Sequence, residues 1–465
     1  MLLKAPGKGT SLIFLLLAAF CLLLPSCGNP LIQQILEYKT VSFNTNGGSF
    51  VPAQNLIKGR KVMRPDDPVK PDCIFAGWFS DNGTFDYEWD FDYIPSADLT
   101  LHAKWIDFIQ FNLQAAVNVY QSAAGDMTIR VPGNLILTEN ITIPANAGGH
   151  TLTITSDGSS PYAIYRGRQD TNPDNGLFIV QNGAKLVFQN IVIDGHYKNY
   201  SGTILHDFEN NAASLVRVGG SDAQDNTFTL GSGAVLKNNR ADYGGGVYVN
   251  YKSNFYIDGG TISGNTAAGG GGVYVGGISS VFIMTDGMVW DNQADDGGGV
   301  YVTRSGTFNM SGGEVLGNKS VNNGGGVFLL YVYEEGNGSF KMSGSARVSG
   351  NTAANGGGVY INNNCILTMS NGVVSGNTAS GRGGGVYVVD YYESVGEFKI
   401  TNGTVYGSNA AGSLANIAAS QGAALYVEGN GLAQRGTFND DDWNSAGDLS
   451  TTNYTFRVEN GMLLP

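Results

Sequence analysis

Acid and base groups gather at one place in this sequence. Asp194, His196, His206 and Asp207 flank a polar insertion running from Tyr197 to Leu205. A loop of that length folding over a wall of the protein would bring two imidazoles against two carboxylates, a minimal set for general acid–base catalysis. The same residues also read as a solvated loop, because hydrophilic connections routinely carry His and Asp. Asp440-Asp441-Asp442-Trp443 offers carboxylate oxygens to a hard cation, or else forms a solvated turn near the carboxy terminus. Nothing in either cluster calls for a resident metal ion or cofactor. The cysteines point away from chemistry: Cys73-Ile74-Phe75 and Cys365-Ile366-Leu367 are apolar, strand-like contexts that suit buried, inert thiols. No disulfide framework is expected.

A third set of residues is defined by repetition. Tyr248, Tyr274, Tyr301, Phe328, Tyr360, Tyr387 and Tyr426 each stand between two aliphatic residues in a recurring Gly-Gly-Gly-Val-Tyr-Val segment or a close variant of it. Alternation along a strand places these aromatics outward and their aliphatic neighbours inward. The outward stripe has two readings. It is a self-stacking ladder that stabilises neighbouring coils, or a flat platform for glycans or partner proteins.

The elements that must position these residues follow from the repeat. The third glycine of the triplet falls at Gly246, Gly272, Gly299, Gly326, Gly358 and Gly385, spaced by 26, 27, 27, 32 and 27 residues. Between triplets come a Phe-x-Met strand, a Gly-x-Val strand and an Asn-bearing turn. A period near 27, rich in β-branched and aromatic residues and without a helical stretch, predicts one coil of a parallel β-helix per repeat.

Several inward columns are expected. One runs through Val247, Val273, Val300, Val327, Val359, Val386 and Leu425, and another through Phe255, Phe282, Phe308, Phe340, Leu367 and Phe398. Ile262, Val289, Val315, Val348, Val374 and Val405 form a third. Asn265, Asn292, Asn318, Asn351 and Asn377 predict a buried amide ladder at the turn after the third strand.

Upstream, Ile109, Leu113, Ala116, Val117 and Tyr120 have helical spacing, and Asp107 with Gln110 forms a capping-box pattern. This helix is expected to cap the amino-terminal end of the solenoid.

Composition agrees with a rigid scaffold. The 465 residues include 68 Gly and 13 Pro, 42% are hydrophobic and 14% charged, and 36 of the glycines fall in residues 241–390. Disorder and collagen are excluded by the apolar content and by the lack of a three-residue glycine period. With 26 Lys and Arg against 39 Asp and Glu and no basic face, nucleic acid is an improbable partner.

These repeats resemble those of the right-handed parallel β-helix superfamily, and the Gly-Gly-Gly-Val-Tyr and Ser-Gly-Asn elements look like those of polymorphic outer-membrane proteins and related adhesins. The likeness is good over residues 240–427 and weak over 126–239. No long amphipathic strands of an outer-membrane barrel follow the repeats. The resemblance implies adhesion, with a polysaccharide lyase or hydrolase on a pectin-lyase-like scaffold as the alternative. Such enzymes converge carboxylates from neighbouring coils. Asp295 and Asp296 have Ala268, Gly269, Asn322 and Asn323 at the equivalent positions, so the repeats do not supply that convergence.

The amino terminus reads as an address. Lys4 and Lys8 precede an apolar run, Leu12 to Leu24, and then Pro25-Ser26-Cys27. Leu24-Pro25-Ser26-Cys27 resembles the bacterial lipoprotein processing box, with Pro25 departing from its usual small residue. The resemblance implies a signal peptide over 1–26, lipidation at Cys27, a linker over 27–37 and a membrane-anchored protein at the cell surface or outer membrane.

Residues 38–105 carry Phe43, Asn46-Gly47-Gly48, Gly59, Pro65, Pro68, Gly77-Trp78 and Leu101-His102-Ala103-Lys104-Trp105. This stretch resembles an internalin B-repeat, also called the Listeria–Bacteroides repeat, a small β-grasp-like module of bacterial surface proteins. The expected chain is therefore all-β, with this module followed over 106–465 by a right-handed parallel β-helix behind its capping helix. Its expected partners are a membrane, through lipid, and a glycan or protein ligand bound without catalysis.

Overall fold

The computed structural model of the protein describes residues 38–68, 70, 73–107, 111–156, 158, 160–195, 210–220, 225–391, 394–439 and 442–464. Two compact units make up the chain, residues 1–107 and 108–465. Cys27, His196, His206 and Asp207, together with Asp440 and Asp441, lie outside the described residues.

In the first unit, strands β1 (Tyr38–Asn44), β2 (Gln54–Ile57), β3 (Cys73–Phe79) and β4 (Leu99–Asp107) form a mixed sheet in the order β2-β1-β4-β3. The central β1/β4 pair is parallel and both outer pairs are antiparallel. A sheet this small needs large side chains to fill its core. Trp78 is 1% exposed, and Phe43 and Phe75 meet its ring edge-on at 4.9 and 5.3 Å. Trp105 donates its indole N–H to the Thr45 carbonyl at 2.7 Å, and its ring lies so close to Gly48 that a Cβ there would collide with it. The two tryptophans thus close the core and fix the Asn46-Gly47-Gly48 turn.

The second unit opens with helix α1 (Leu113–Tyr120), whose buried Leu113, Val117 and Tyr120 face strands Met127–Val131 and Ile141–Ile143. Its N-cap is Asn112, whose side chain accepts from the Ala115 N–H at 2.8 Å. The expected cap, Asp107, is instead the last residue of β4, paired with Cys73. Its backbone is committed to the first unit's sheet, so the helix starts later than the capping-box pattern predicts.

Behind α1 the chain winds into a parallel β-solenoid of about nine turns. The first wall has ten strands, from Ile141–Ile143 to Leu425–Val427, and the second and third walls have twelve each. A narrower strip of six short strands runs from Thr266–Gly269 to Ile417–Ala418, between the third wall and the glycine triplets. The strip is not apparent from sequence because its strands are two to four residues long and carry mixed polar and small side chains. At the carboxy-terminal end Asp442–Asp448 folds back on Leu432–Asn439, while Phe456–Glu459 and Met462–Leu464 add to the third wall, all antiparallel. These hairpins cover edges that would otherwise be open to pairing with another chain.

The register is that of the repeat. Val247 pairs with Val273, Val273 with Val300 and Val300 with Val327, and the inward valines are fully buried. Phe228, Phe255, Phe282, Phe308 and Phe340 stack nearly coplanar inside the second wall, 4.4 to 5.3 Å apart. Leu367 replaces the ring in the next coil. Cys365 is buried beside this column, which pushes its thiol up to about 12 and leaves it inert at neutral pH.

Candidate functional site

The predicted aromatic column forms in register on the outside of the first wall. Tyr248 pairs with Tyr274, Tyr274 with Tyr301, Tyr301 with Phe328, and the series continues to Tyr426. Neighbouring ring centroids lie 4.8 to 5.3 Å apart. Tyr274 on Tyr301 and Tyr360 on Tyr387 are face to face, at interplanar angles of 23° and 20°. The other pairs are tilted or meet edge-on, as Tyr248 on Tyr274 at 88° and Tyr301 on Phe328 at 63°, so each ring covers its neighbours along the rod. Tyr248, Tyr274, Phe328 and Tyr387 consequently retain only 5–7% exposure. Burial raises the Tyr248, Tyr274, Tyr301, Tyr360 and Tyr387 phenols above their ordinary value, so they stay neutral hydrogen-bonding groups. Arg217 lies over Tyr248 at 4.7 Å and Arg382 over Tyr426 at 5.0 Å, closing the ladder with cations near both ends. Tyr243 joins it from the side, 5.0 Å from Tyr274. Because it precedes the triplet, its place beside the column is invisible in the repeat alignment.

Asp194 is the described member of the predicted acid–base cluster. It is buried, 3.5 Å from the Lys237 ammonium, and both its carboxylate oxygens accept from the Asn238 amide at 3.2 and 3.3 Å. Asp296 stands in the strip opposite Gly269, as the repeat predicts. Burial raises its pKa, while the Asn323 backbone and side-chain N–H groups, bonding at 3.1 and 3.2 Å, oppose that rise. Asp442 and Trp443 form the start of the strand Asp442–Asp448. Among the described residues, no group of three or more His, Cys, Asp or Glu side chains is arranged to hold a metal ion.

One charged residue that sequence inspection passes over is Arg166, 1% exposed. It sits at the amino-terminal end of the buried asparagine ladder, which is longer than the repeat predicts. The ladder extends upstream to Asn239 and Asn211 and downstream to Asn416. From Asn265 to Asn377, each amide oxygen accepts from the preceding coil and each amide nitrogen donates to the next. The aligned amide dipoles therefore present their negative end toward Asn239. There Arg166 Nε donates to Asn239 Oδ1 at 3.2 Å and Nη2 to the Ser214 carbonyl at 2.8 Å. Burial draws the guanidinium down to about 10, with Asp170 opposing the shift, so it remains charged at neutral pH. The cation thus joins the Asn211 amide as a second donor to Asn239 Oδ1, at the negative end of the ladder.

Residues 40–104 match the sequence profile of the Listeria-Bacteroides repeat domain. Two proteins of Evansella cellulosilytica are similar over short stretches. One, named "Putative Gly-rich membrane protein", is 42% identical over 73 residues, or 16% of this chain. The other, named "Putative membrane protein", is 33% identical over 96 residues, or 20% of this chain. The matches span 8% and 14% of those two proteins' lengths. No solved structure matches the chain.

Proposed function

We propose that the protein is a cell-surface lipoprotein whose solenoid is a rigid, non-catalytic scaffold for displaying binding sites to a glycan or protein ligand. The carrying observation is how regular and irregular residues are distributed. Valine, phenylalanine, asparagine and tyrosine columns are consumed in holding coil to coil, while two hairpins, pairing Tyr331–Val332 with Gly336–Asn337 and Asp390–Tyr391 with Ser394–Val395, leave the stack unbroken. At about 4.8 Å per coil, a ten-stranded wall is a rod roughly 43 Å long, and its outward insertions are where a partner is met. Surface placement is supported by the Listeria-Bacteroides repeat and by the membrane-protein names of both relatives. Among the described residues no helix is long and apolar enough to cross a membrane. Lipid at Cys27 is the anchor this reading favours, on the Leu24-Pro25-Ser26-Cys27 pattern.

Two measurements test it. Cys27→Ser is expected to move the protein from the membrane fraction to the detergent-free soluble fraction, and continued retention contradicts lipid anchoring. Incubating the mature chain with uronic-acid and neutral polysaccharides should yield binding on glycan or protein arrays without new reducing or unsaturated ends. Ends that appear, and disappear in His196→Ala, would establish the carbohydrate-active alternative instead.

A further inference from the structure

Both insertions leave the rod at the same corner, where the first wall passes to the second. The hairpin Tyr331–Asn337 follows strand Val327–Leu329, and the hairpin Asp390–Val395 follows strand Val386–Val388. The coil between them turns this corner through Asn362-Asn363-Asn364 without an insertion. The hairpin bases are therefore two coil steps apart, roughly 9.6 Å. At this corner lies a cleft of about 420 Å³. Tyr331, Tyr333 and Tyr360 line it with Asn362 and Asn363, and Val389 lies at its base.

We propose that this cleft binds one unit of a neutral saccharide, an assignment that rests on the reading of the protein as a binding scaffold and names its ligand class. Three features carry it. The lining pairs aromatic rings with carboxamides, and this combination suits a sugar: a ring takes the C–H face of a pyranose, and an amide offers a donor and an acceptor to neighbouring hydroxyls. Tyr333 is held 76% exposed on its hairpin, with an aromatic face available, unlike the rings of the ladder. Asn362 Oδ1 is taken by the Asn363 N–H at 2.7 Å, whereas the Asn363 carboxamide has no hydrogen-bond partner among the described residues.

Charge selects against acidic sugars. No charged side chain lines the cleft, so a uronate or phosphate entering it would lose water without gaining a counter-charge. The backbone beside the cleft is also fixed in advance. Glu335 pairs with Arg304 of the preceding coil at 2.7 Å, and its carbonyl accepts from the Ser305 hydroxyl at 3.1 Å. The Asn337 amide donates to the Asn364 carbonyl in the next coil. On the other side Asp390 accepts from the Asn430 backbone N–H at 2.8 Å, and Val395 accepts from the Asn364 N–H at 2.9 Å. A cleft whose lining hairpin is tied to the coils before and after it spends little binding energy on ordering itself.

The test uses saturation-transfer NMR on the intact mature chain. The probes are methyl glucosides, methyl galactosides, N-acetylglucosamine and their β-linked disaccharides, with glucuronic acid and a tyrosine-containing peptide as comparators. At least one neutral sugar should receive saturation, and its affinity should fall about tenfold or more in both Tyr333→Ser and Asn363→Ala. Both residues lie at the surface, so unchanged thermal unfolding is expected and separates lost binding from lost fold. Glu335→Gln should weaken binding less, by freeing the hairpin from Arg304. Absence of any neutral-sugar signal, equal signal in both variants, or preference for glucuronic acid or the peptide would overturn the assignment. Array binding to proteins alone would defeat the saccharide cleft and leave the scaffold standing, whereas cleavage of a bound sugar would defeat the scaffold and leave the cleft.

Discussion

Asn318→Ala is expected to destabilise the solenoid by about 3–5 kcal/mol, one of the largest effects available to a single side chain here. The Asn318 amide makes four bonds, all buried. Its oxygen accepts from the backbone and side-chain N–H groups of Asn292, both at 3.0 Å. Its nitrogen donates to the Val289 carbonyl at 2.8 Å and to Asn351 Oδ1 at 3.0 Å. Alanine removes every partner at once and leaves the buried Asn292 backbone N–H without its acceptor. The Asn292 side chain keeps its bonds to the carbonyls of Ile262 and Trp290, both at 3.0 Å, so the loss is less than four full bonds. Urea unfolding followed by circular dichroism measures the difference. A loss below about 1 kcal/mol would show that water or a local shift replaces the ladder.

Asn318→Asp separates hydrogen bonding from packing, because it keeps the shape and changes only the donor. To donate to either Asn351 Oδ1 or the Val289 carbonyl the new carboxyl must be protonated, its single O–H serving one of the two, and burial disfavours its anion as well. Its folded-state pKa is therefore raised above the ordinary value near 3.9. The folded form then holds more protons than the unfolded form between those two pKa values. Relative to wild type, the variant should be most stable below about pH 4 and lose stability as pH rises through the window up to its folded pKa. A variant that gains stability with pH instead would place a water or a cation against the carboxylate.

How much of this was legible beforehand depends on whether a residue's role repeats. The inward valines, the phenylalanine column and the asparagine ladder were readable because every coil imposes the same geometry on the same position. The tyrosine column was readable too, but sequence could not settle its exposure. That depends on ring orientation, and the rings cover one another along the rod, some face to face and some edge-on. Residues acting once were not legible. Arg166 lies outside the clearest repeats, and its purpose appears only when its guanidinium is seen to meet Asn239 Oδ1 at the amino-terminal end of the ladder. The cleft left one trace, the spacing of 32 between Gly326 and Gly358 where 27 is usual, because that interval contains the hairpin Tyr331–Asn337. The carboxy-terminal hairpins left none, since their strands lie beyond the last triplet and pair antiparallel.

The glycine triplets allow the sharpest discrimination between local strain and coil stacking. The first glycine of a triplet has positive φ, as at Gly297 with +65°, a conformation that costs other residues about 1 kcal/mol. The second and third have a different reason. A Cβ on Gly298 would stand 2.5 Å from the Lys319 carbonyl oxygen and 2.6 Å from that of Gly325, both in the next coil. Neither oxygen can retreat without breaking the coil step, so Gly298→Ala should cost several kcal/mol, or about 3 and more. Gly317→Ala supplies the control. Gly317 also has positive φ, +63°, but nothing lies within 4 Å of the added methyl, so about 1 kcal/mol is expected. The last coil already contains the reverse experiment. There the triplet reads Gly422-Ala423-Ala424, and in place of a further coil a single antiparallel bridge at Thr452 closes the edge, its carbonyl accepting from the Ala424 and Leu425 N–H groups, so no next-coil triplet presents its carbonyls to those methyls. Gly422 keeps φ at +73°, because the turn itself is unchanged. If Gly298→Ala and Gly317→Ala lower the unfolding midpoint equally in urea, the triplet is a matter of turn geometry alone. A several-fold larger loss at Gly298 assigns its second and third glycines to the spacing between coils.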